Sequence, residues 1–411
     1  MANTLLTISM ITREALRVLE NNLTFTTKVN RQYDDKFGVE GAKIGTVLNV
    51  RKPPRYVGRE GQALSIESAV ETQVPVTLNH QFGVDIQFSS QDLALSIDDF
   101  SDRFLKPAVS TVANKMDYDG FQLYKKVANT VGVFHTVPTA LLTYLQAGVK
   151  LDDNSCPIDG DRFAVLNPLM QATIVNALTA FLNPVPEISR QYRRGEMGEA
   201  AGFTWAMDQN VPVHSIGQLG GTPIVTVANQ TGSSILTSAW TSAAANRLKE
   251  GDIVQIAGVF GVNPQSRQTT GALQDFTITA DADSNGSGLL TMPIYPPIVT
   301  AGAFQTVTAS PAASALISVF STAAAGQAAM VALATSPQGL AFHRDAFTLA
   351  SADLPLPRGV DMAARMSDKQ LGVSMRLVRA YDISTDNFPC RLDVLYGWAS
   401  LRPELACRVC S

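Results

Sequence analysis

The sequence predicts an α+β protein whose main domain is interrupted by a small β-barrel, and three observations carry that prediction. After an acidic entry at Asp98, Asp99 and Asp102, the residues Val109, Val112, Ala113, Met116, Gly120, Leu123, Tyr124 and Val127 recur at three- and four-residue steps. This is one apolar helical stripe, with Lys115, Asp117, Asp119, Lys125 and Lys126 largely off it. Alternating apolar residues flank it as β-strands, Val74, Val76, Leu78 and then Val84, Ile86, Phe88. Past Val213 glycine, serine and threonine rise and helical periodicity vanishes, until the mixed α and β pattern of the first half resumes at Gly339.

Taken in order, Thr12 to Asn22 reads as a short helix with Thr12 as N-cap, followed by an arm. Ile44 to Val50 and Val74 to Phe88 are strands. Between them Arg51 to Thr72 is a long excursion with Pro53-Pro54, Gly58, Gly61 and charges of both signs, a length that in a compact domain belongs to a functional or a disordered loop. The central helix admits Pro107 in its first turn, where a missing N–H has no partner to lose. Continued to Asn129 as one rod it spans about 30 Å, with Gly120 marking close packing or a bend. Leu141 to Gly148 and Leu169 to Leu182 read as helices, the second stopped by Asn183-Pro184, and Arg162 to Leu166 as a strand. The β module, Gly217 to Ala334, offers runs at Ile224–Ala228, Asp252–Val259, Phe276–Ala280, Leu289–Ile294 and Phe304–Ala309. Alanine-rich Ala312 to Ala334 is suited to a closing helix. Beyond it Leu340, Phe342, Phe347 and Leu349 flank a polar turn at Arg344-Asp345, and strands follow at Val373–Tyr381 and Arg391–Leu395.

At 411 residues the chain has room for two or three domains. Charged residues make up 17%, below the roughly 25% usual for soluble proteins, which suggests a surface partly covered by partners. A net charge of −4 supplies no global basic field for a polyanion, leaving only passive contact with nucleic acid. Met1 to Met10 lacks the features of a secretory signal, and no apolar run reaches membrane-spanning length, so the expectation is synthesis in a cytoplasm and no membrane partner. Cys156, Cys390, Cys407 and Cys410 are too few and too uneven for a disulfide framework and read as reduced.

Motifs for chemistry are weak. Asp281, Asp283, Asn285 and Gly286 match the first half of a calcium loop, but its twelfth position is Met292 rather than a bidentate glutamate, so a hairpin turn is the better reading. Cys407 and Cys410 have half a zinc spacing without the other two ligands, and His80, His135, His214 and His343 are scattered and read as structural. No phosphate-cradling or dinucleotide fingerprint occurs, and neither a catalytic residue, a cofactor nor a metal is expected. The basic cluster Arg190, Tyr192, Arg193 and Arg194 could touch phosphate, but surface arginines more often pair with acidic neighbours.

The order of these parts, together with four stretches, resembles the major capsid proteins of tailed double-stranded-DNA bacteriophages, and in particular the short-tailed-phage coats with an inserted telokin-like β domain. The stretches are Ser96-Ile97-Asp98-Asp99-Phe100 with Leu105-Lys106-Pro107-Ala108; Leu248 to Val259, holding Gly251-Asp252; Leu340-Ala341-Phe342-His343-Arg344-Asp345-Ala346-Phe347; and Tyr396-Gly397 followed by Arg402-Pro403-Glu404. The resemblance implies the Hong-Kong-phage-type capsid fold. It divides the chain into an N-terminal arm (1–43), an E-loop hairpin with its flanking strands (44–88), a peripheral-domain spine helix (89–130), an axial domain (131–216), the inserted barrel (217–334) and a return to both domains (335–411). It further implies a non-enzymatic, self-assembling shell of hexamers and pentamers, built in the host cytoplasm with a scaffolding protein and a portal protein. That shell touches packaged DNA non-specifically, has room for a decoration protein, and ends as the virion capsid.

In the excursion, Arg51, Lys52, Arg55 and Arg59 on one side and Glu60, Glu67 and Glu71 on the other suit charge pairing across a subunit boundary, with Arg402 and Glu404 as further contact residues. Two other readings compete. A β-rich surface protein binding carbohydrate through the insert conflicts with the missing signal, and a hydrolase using Asp98 and Asp99 conflicts with geometry, since adjacent helical residues do not face one cleft.

Overall fold

The computed structural model describes residues 23–31, 47–59, 61–64, 66–89, 106–178, 198–320, 334–368 and 373–411. The expected helix at 12–22, the acidic entry at 98–102, Glu60 and the 190–194 cluster lie outside the described residues. The chain divides into two compact units. The first comprises the described residues within Met1–Arg51, Gln73–Phe121 and Phe347–Leu401; the second, those within Lys52–Thr72, Gln122–Ala346 and Arg402–Ser411.

In the first unit the long strand Asn387–Ser400 pairs antiparallel with His80–Ser89, Phe347–Ala352 and Val373–Arg379, and the last of these pairs with Met362–Asp368. A separate ladder joins Val47–Arg51 to Gln73–Thr77, from Val47 opposite Thr77 to Arg51 opposite Gln73. It packs Val50 and Val76 against Ala350, Ala399 and Leu401. Gly397 is obligatory there, because a β-carbon would run into the Thr77 carbonyl oxygen.

Helix α1, Lys106–Phe121, buries Val109, Val112, Ala113 and Met116 as its periodicity predicts. Gly120 does mark close packing: a β-carbon would lie 2.6 Å from the Trp398 ring and 2.9 Å from Phe25. Three expectations need correction. The rod is shorter, about 24 Å at 1.5 Å per residue, and tightens into a 3₁₀ segment at Gln122–Lys126. Gly120 and Phe121 serve the core of the first unit whereas Tyr124 is bonded within the second, so the apolar positions read as one stripe answer to two cores. Asp117, read as lying off the stripe, is fully buried. Its carboxylate accepts the N–H groups of Thr24 (2.7 Å), Thr26 (3.0 Å) and Phe25 (3.3 Å) and the Thr26 hydroxyl (2.5 Å). Burial pushes this carboxyl above the usual range, and those four bonds oppose the shift. The segment they tie down sets Phe25 against Phe121, Trp398 and Phe347, with ring centroids 4.5, 5.5 and 5.8 Å apart.

The second unit is built on a mixed sheet ordered Thr130–Gly132, Ala406–Cys410, Thr335–His343, Arg162–Leu166, Phe203–Met207, Glu199–Ala200. Helices α2 (Leu141–Asp153) and α3 (Pro168–Leu178) accompany it, burying Tyr144, Ala147, Leu151, Met170 and Ile174. Within this unit residues 221–319 form a six-stranded sheet ordered Ile317–Val319, Ile253–Val262, Thr269–Ile278, Leu290–Ile298, Gly232–Trp240, Gly221–Val225. An antiparallel bridge between Ile224 and Leu316 joins its first and last strands, closing the sheet into a barrel around Ile235, Val254, Ile256, Phe276, Met292 and Ile317.

Details of the barrel differ from expectation. Residues 304–309 form no strand and touch the barrel through the Gly261–Val307 bridge. The front of the alanine-rich stretch carries the closing strand Ile317–Val319 instead of helix, its alternate residues filling the barrel, while 321–333 lie outside the described residues. The Asp281–Gly286 run is a hairpin end: Asn285 Oδ1 accepts the N–H groups of Ser287 and Leu289, both at 2.9 Å, and Asp283 accepts that of Asn246 at 2.6 Å.

The barrel joins the mixed sheet of this unit through a neck. Val213–Ser215 pairs antiparallel with the start of Thr335–His343, Ser215 opposite Thr335 and Val213 opposite Pro337. Buried Asp252 reaches from the barrel to this neck, accepting the Gly217 N–H (3.2 Å) and facing His214 Nε2 at 2.8 Å, while Tyr124 Oη lies 2.9 Å from His214 Nδ1. Lys150 of α2 adds a second tie, an ion pair to Asp275 at 2.8 Å.

A neutral imidazole protonated on Nε2 satisfies both His214 partners, donating to Asp252 and accepting from Tyr124. Burial holds its pKa below the ordinary value despite the Asp252 carboxylate. The unfolded chain therefore takes up this proton first as pH falls. Stability from this site is complete above about pH 6.5 and lost below it, by up to about 1.4 kcal/mol per pH unit. In thermal melts the wild type should lose stability between pH 6.5 and 5 more steeply than His214→Gln; equal slopes would contradict this.

Candidate assembly surface

The excursion leaves the ladder at Arg51 and is closed at its base by the Lys52 N–H bonded to the Thr72 carbonyl at 2.7 Å. Just inside, Arg55 forms a 3.2 Å ion pair with Glu404, and Arg402 Nε lies 3.8 Å from the same carboxylate. Local structure places Glu404: Pro403 starts a 3₁₀ turn, Pro403–Leu405, and Asn129 Nδ2 donates to the carbonyls of Glu404 itself (3.2 Å) and of Ala406 (2.9 Å) just past the turn. Lys52 is half-buried beside this group. Burial lowers its pKa first, Glu404 opposes, and Arg402 and Arg55 lower it further. Three cations thus share one carboxylate, an excess of positive charge at the base of the loop. The Arg55 guanidinium also sits 6.0 Å from the centroid of Phe304.

Further out, the Glu67 carboxylate folds across the loop to accept the N–H groups of Val57 (2.6 Å) and Gly58 (2.7 Å). Gly58 and Gly61 take positive φ, 77° and 88°, to make the turns, and Arg59 donates to the Gly61 carbonyl. Tyr56, Val57, Leu64, Ile66 and Val70 are exposed, Leu64 by 80% and Ile66 by 85%. All five stand on this one loop.

Of the residues expected at a boundary, Lys52, Arg55, Arg402 and Glu404 come together in one cluster within the chain. Glu67 engages backbone, and Arg51, Arg59 and Glu71 are exposed along the ladder end and the loop. One contributor has no sequence signal: Arg267, on the barrel hairpin between Ile253–Val262 and Thr269–Ile278, donates to the carbonyls of Val57 (3.0 Å) and Tyr56. An arginine in a polar turn looks like any solvated charge. His214 and His343 are structural, the latter bonded to the Asp159 carboxylate at 3.1 Å, and the four cysteines are free and buried.

A family model described as P22 coat protein, gene protein 5, matches residues 52–408. The chain belongs to the P22 coat protein family. It is a major capsid protein of tailed phages with the α+β fold of that class, and its copies form the icosahedral shell. The match runs from the base of the loop through the barrel to the last strand, taking in Glu404 and Arg267. Among solved structures, one from Mycobacterium phage Che8 is similar at TM-score 0.48 and 11% identity, covering 94% of this chain and 90% of that one. The capsid of Cyanophage P-SCSP1u gives 0.43 and 10% over 93% and 88%, and the mature capsid of bacteriophage PhiM1 gives 0.42 and 10% over 92% and 86%. No curated protein matches the chain.

The Arg55–Glu404 pair is partly exposed, so the coat subunit should tolerate its loss. Arg55→Ala is expected to lower the stability of the unassembled subunit by about 1 kcal/mol or less, read from the urea midpoint. A loss above about 3 kcal/mol would instead make the pair a structural bond.

Proposed function

We propose that this coat subunit assembles into hexamers and pentamers in the host cytoplasm around a scaffolding protein, with a portal protein at one vertex, and that loop 52–72 carries a contact to the neighbouring subunit. The domain division follows the same reading: arm 1–43, loop hairpin 44–88, spine helix 89–130, axial domain 131–216, barrel insert 217–334 and return 335–411. The observation that carries the loop contact is the pairing of exposed Leu64 and Ile66 at its far end with the surplus of positive charge around Glu404 at its base. Apolar area supplies affinity, and the surplus charge selects an acidic surface and fixes register. Arg51, Arg59 and Glu71 extend that contact along the loop. Contact with packaged DNA is non-specific, consistent with the net charge of −4, and a decoration protein is a further partner of this reading.

Expression with the scaffolding protein of the same phage should give uniform closed shells by negative-stain microscopy. Arg55→Glu combined with Arg59→Glu should leave the subunit folded by circular dichroism but unable to close shells at low salt, because like charges then meet at every repeat of the contact. Salt should ease the defect as the Debye length falls below about 10 Å. Normal shells from the double variant at low salt would remove the loop from the contact.

A further inference from the structure

Residues Tyr56 to Gly58 are gripped along both edges by full charges of opposite sign. On one edge Arg267 donates from its two terminal nitrogens to the carbonyls of Val57, at 3.0 Å, and Tyr56. On the other, Glu67 accepts the N–H groups of Val57 at 2.6 Å and Gly58 at 2.7 Å. Charge-assisted bonds are the strong class, and here they hold backbone, so the grip does not depend on which side chains stand at 56 and 57.

The grip also has a foundation. Asn263, at the root of the Arg267 turn, donates from Nδ2 to the Asp153 carbonyl (2.9 Å) at the end of α2. Its Oδ1 accepts from the Ser155 hydroxyl (3.1 Å) and from the N–H groups of Gln265 (2.9 Å) and Ser266 (3.0 Å). Its carbonyl accepts the Arg267 N–H at 2.9 Å. Arg267 itself takes φ 55°, a conformation that a non-glycine residue keeps only where its surroundings hold it. A continuous series of bonds therefore runs from an axial helix through the barrel hairpin to the middle of the loop, all within the second unit.

We propose that Arg267 and Glu67 form a clamp that orders loop 52–72 in the free subunit, so that its far end meets a neighbour already in position; this rests on the reading that the loop carries the contact. A loop ordered only on association charges that entropy against binding, and pre-ordering removes the charge. Leu64 and Ile66 lie beyond the clamp, free for a partner, while Tyr56 to Gly58 act as the fulcrum. Arg267 is a positioning residue, acting through backbone it holds rather than by touching the neighbour.

The test measures amide hydrogen exchange at Val57 and Gly58 in full-length unassembled subunits, together with the lowest concentration at which shells form with scaffolding protein. Arg267→Ala and Glu67→Ala should speed exchange at these amides about tenfold or more, the loss expected of a charged hydrogen bond. Both should raise the assembly threshold severalfold without changing the melting temperature of the barrel. Arg267→Lys should fall between, since an ammonium lacks the planar fork that serves two carbonyls at once. Unchanged exchange in Arg267→Ala, or faster exchange with an unchanged threshold, would overturn the clamp. Leu64→Asp separates the two ideas: it should leave exchange at Val57 and Gly58 as in wild type and still block assembly. Normal assembly of Leu64→Asp would overturn the contact reading, whatever the exchange data say.

Discussion

The pairing of Val213–Ser215 with the start of Thr335–His343 is the constraint on which the second unit depends. A barrel inserted in a sheet must leave and re-enter at one place, or its two connections would pull the host strands apart. Three neighbouring residues close that entrance, and Asp252 pins it by bonding both His214 and the Gly217 N–H. The strand Thr335–His343, started by this pairing, continues into register with Ala406–Cys410 on one side and Arg162–Leu166 on the other. The C-terminal strand can then lie parallel to Thr130–Gly132, which brings Arg402 and Glu404 to the base of the loop. Neck, sheet and loop base are successive consequences of one closure.

Buried charge is the recurring device, and at Asp117 and Asp393 backbone groups or an opposite charge compensate it. Asp117 replaces its lost water with three N–H groups and a hydroxyl, fixing the segment that leads to the Asn30–Thr348 bridge. Asp393 takes Arg376 at 2.6 Å and Arg391 at 2.7 Å on the long strand of the first unit. Arg408, fully buried, is the exception: its three guanidinium nitrogens have no hydrogen-bond partner among the described residues, and the Tyr124 ring centroid lies 5.6 Å away. The paired groups favour one register, since a misregistered strand would leave a buried charge without its partner. A subunit that must present one shape to several neighbours gains from that selectivity.

Much of this is legible in the sequence. The buried stripe of α1, the strand Arg162–Leu166 and the turn at Arg344-Asp345 follow from period and turn chemistry, because each depends on local pattern. The strand Gly232–Trp240 escapes such reading because Ser233, Ser234, Thr237 and Ser238 dilute its alternation, and Ala406–Cys410 because a fully buried strand has no alternation at all. The burial of Asp117 has no local signal; its donors lie more than ninety residues away. At the loop, the charges at 52, 55, 402 and 404 are visible as types but not as one cluster, and Arg267 is invisible because its role comes from a hairpin closing over a distant backbone.

Loop 52–72 is fixed to its own body near Tyr56 and, on the proposed reading, reaches a neighbour beyond Leu64. The most direct measurement places a photo-cross-linker on Leu64→Cys in shells assembled from mixed light and heavy isotope-labelled subunits. All four native cysteines are buried, so the introduced thiol is labelled selectively. Cross-linked peptides of mixed isotope composition from position 64, with single-isotope links from a probe at Val57→Cys to the Arg267 hairpin, are the predicted result. Single-isotope links alone from position 64 would contradict it.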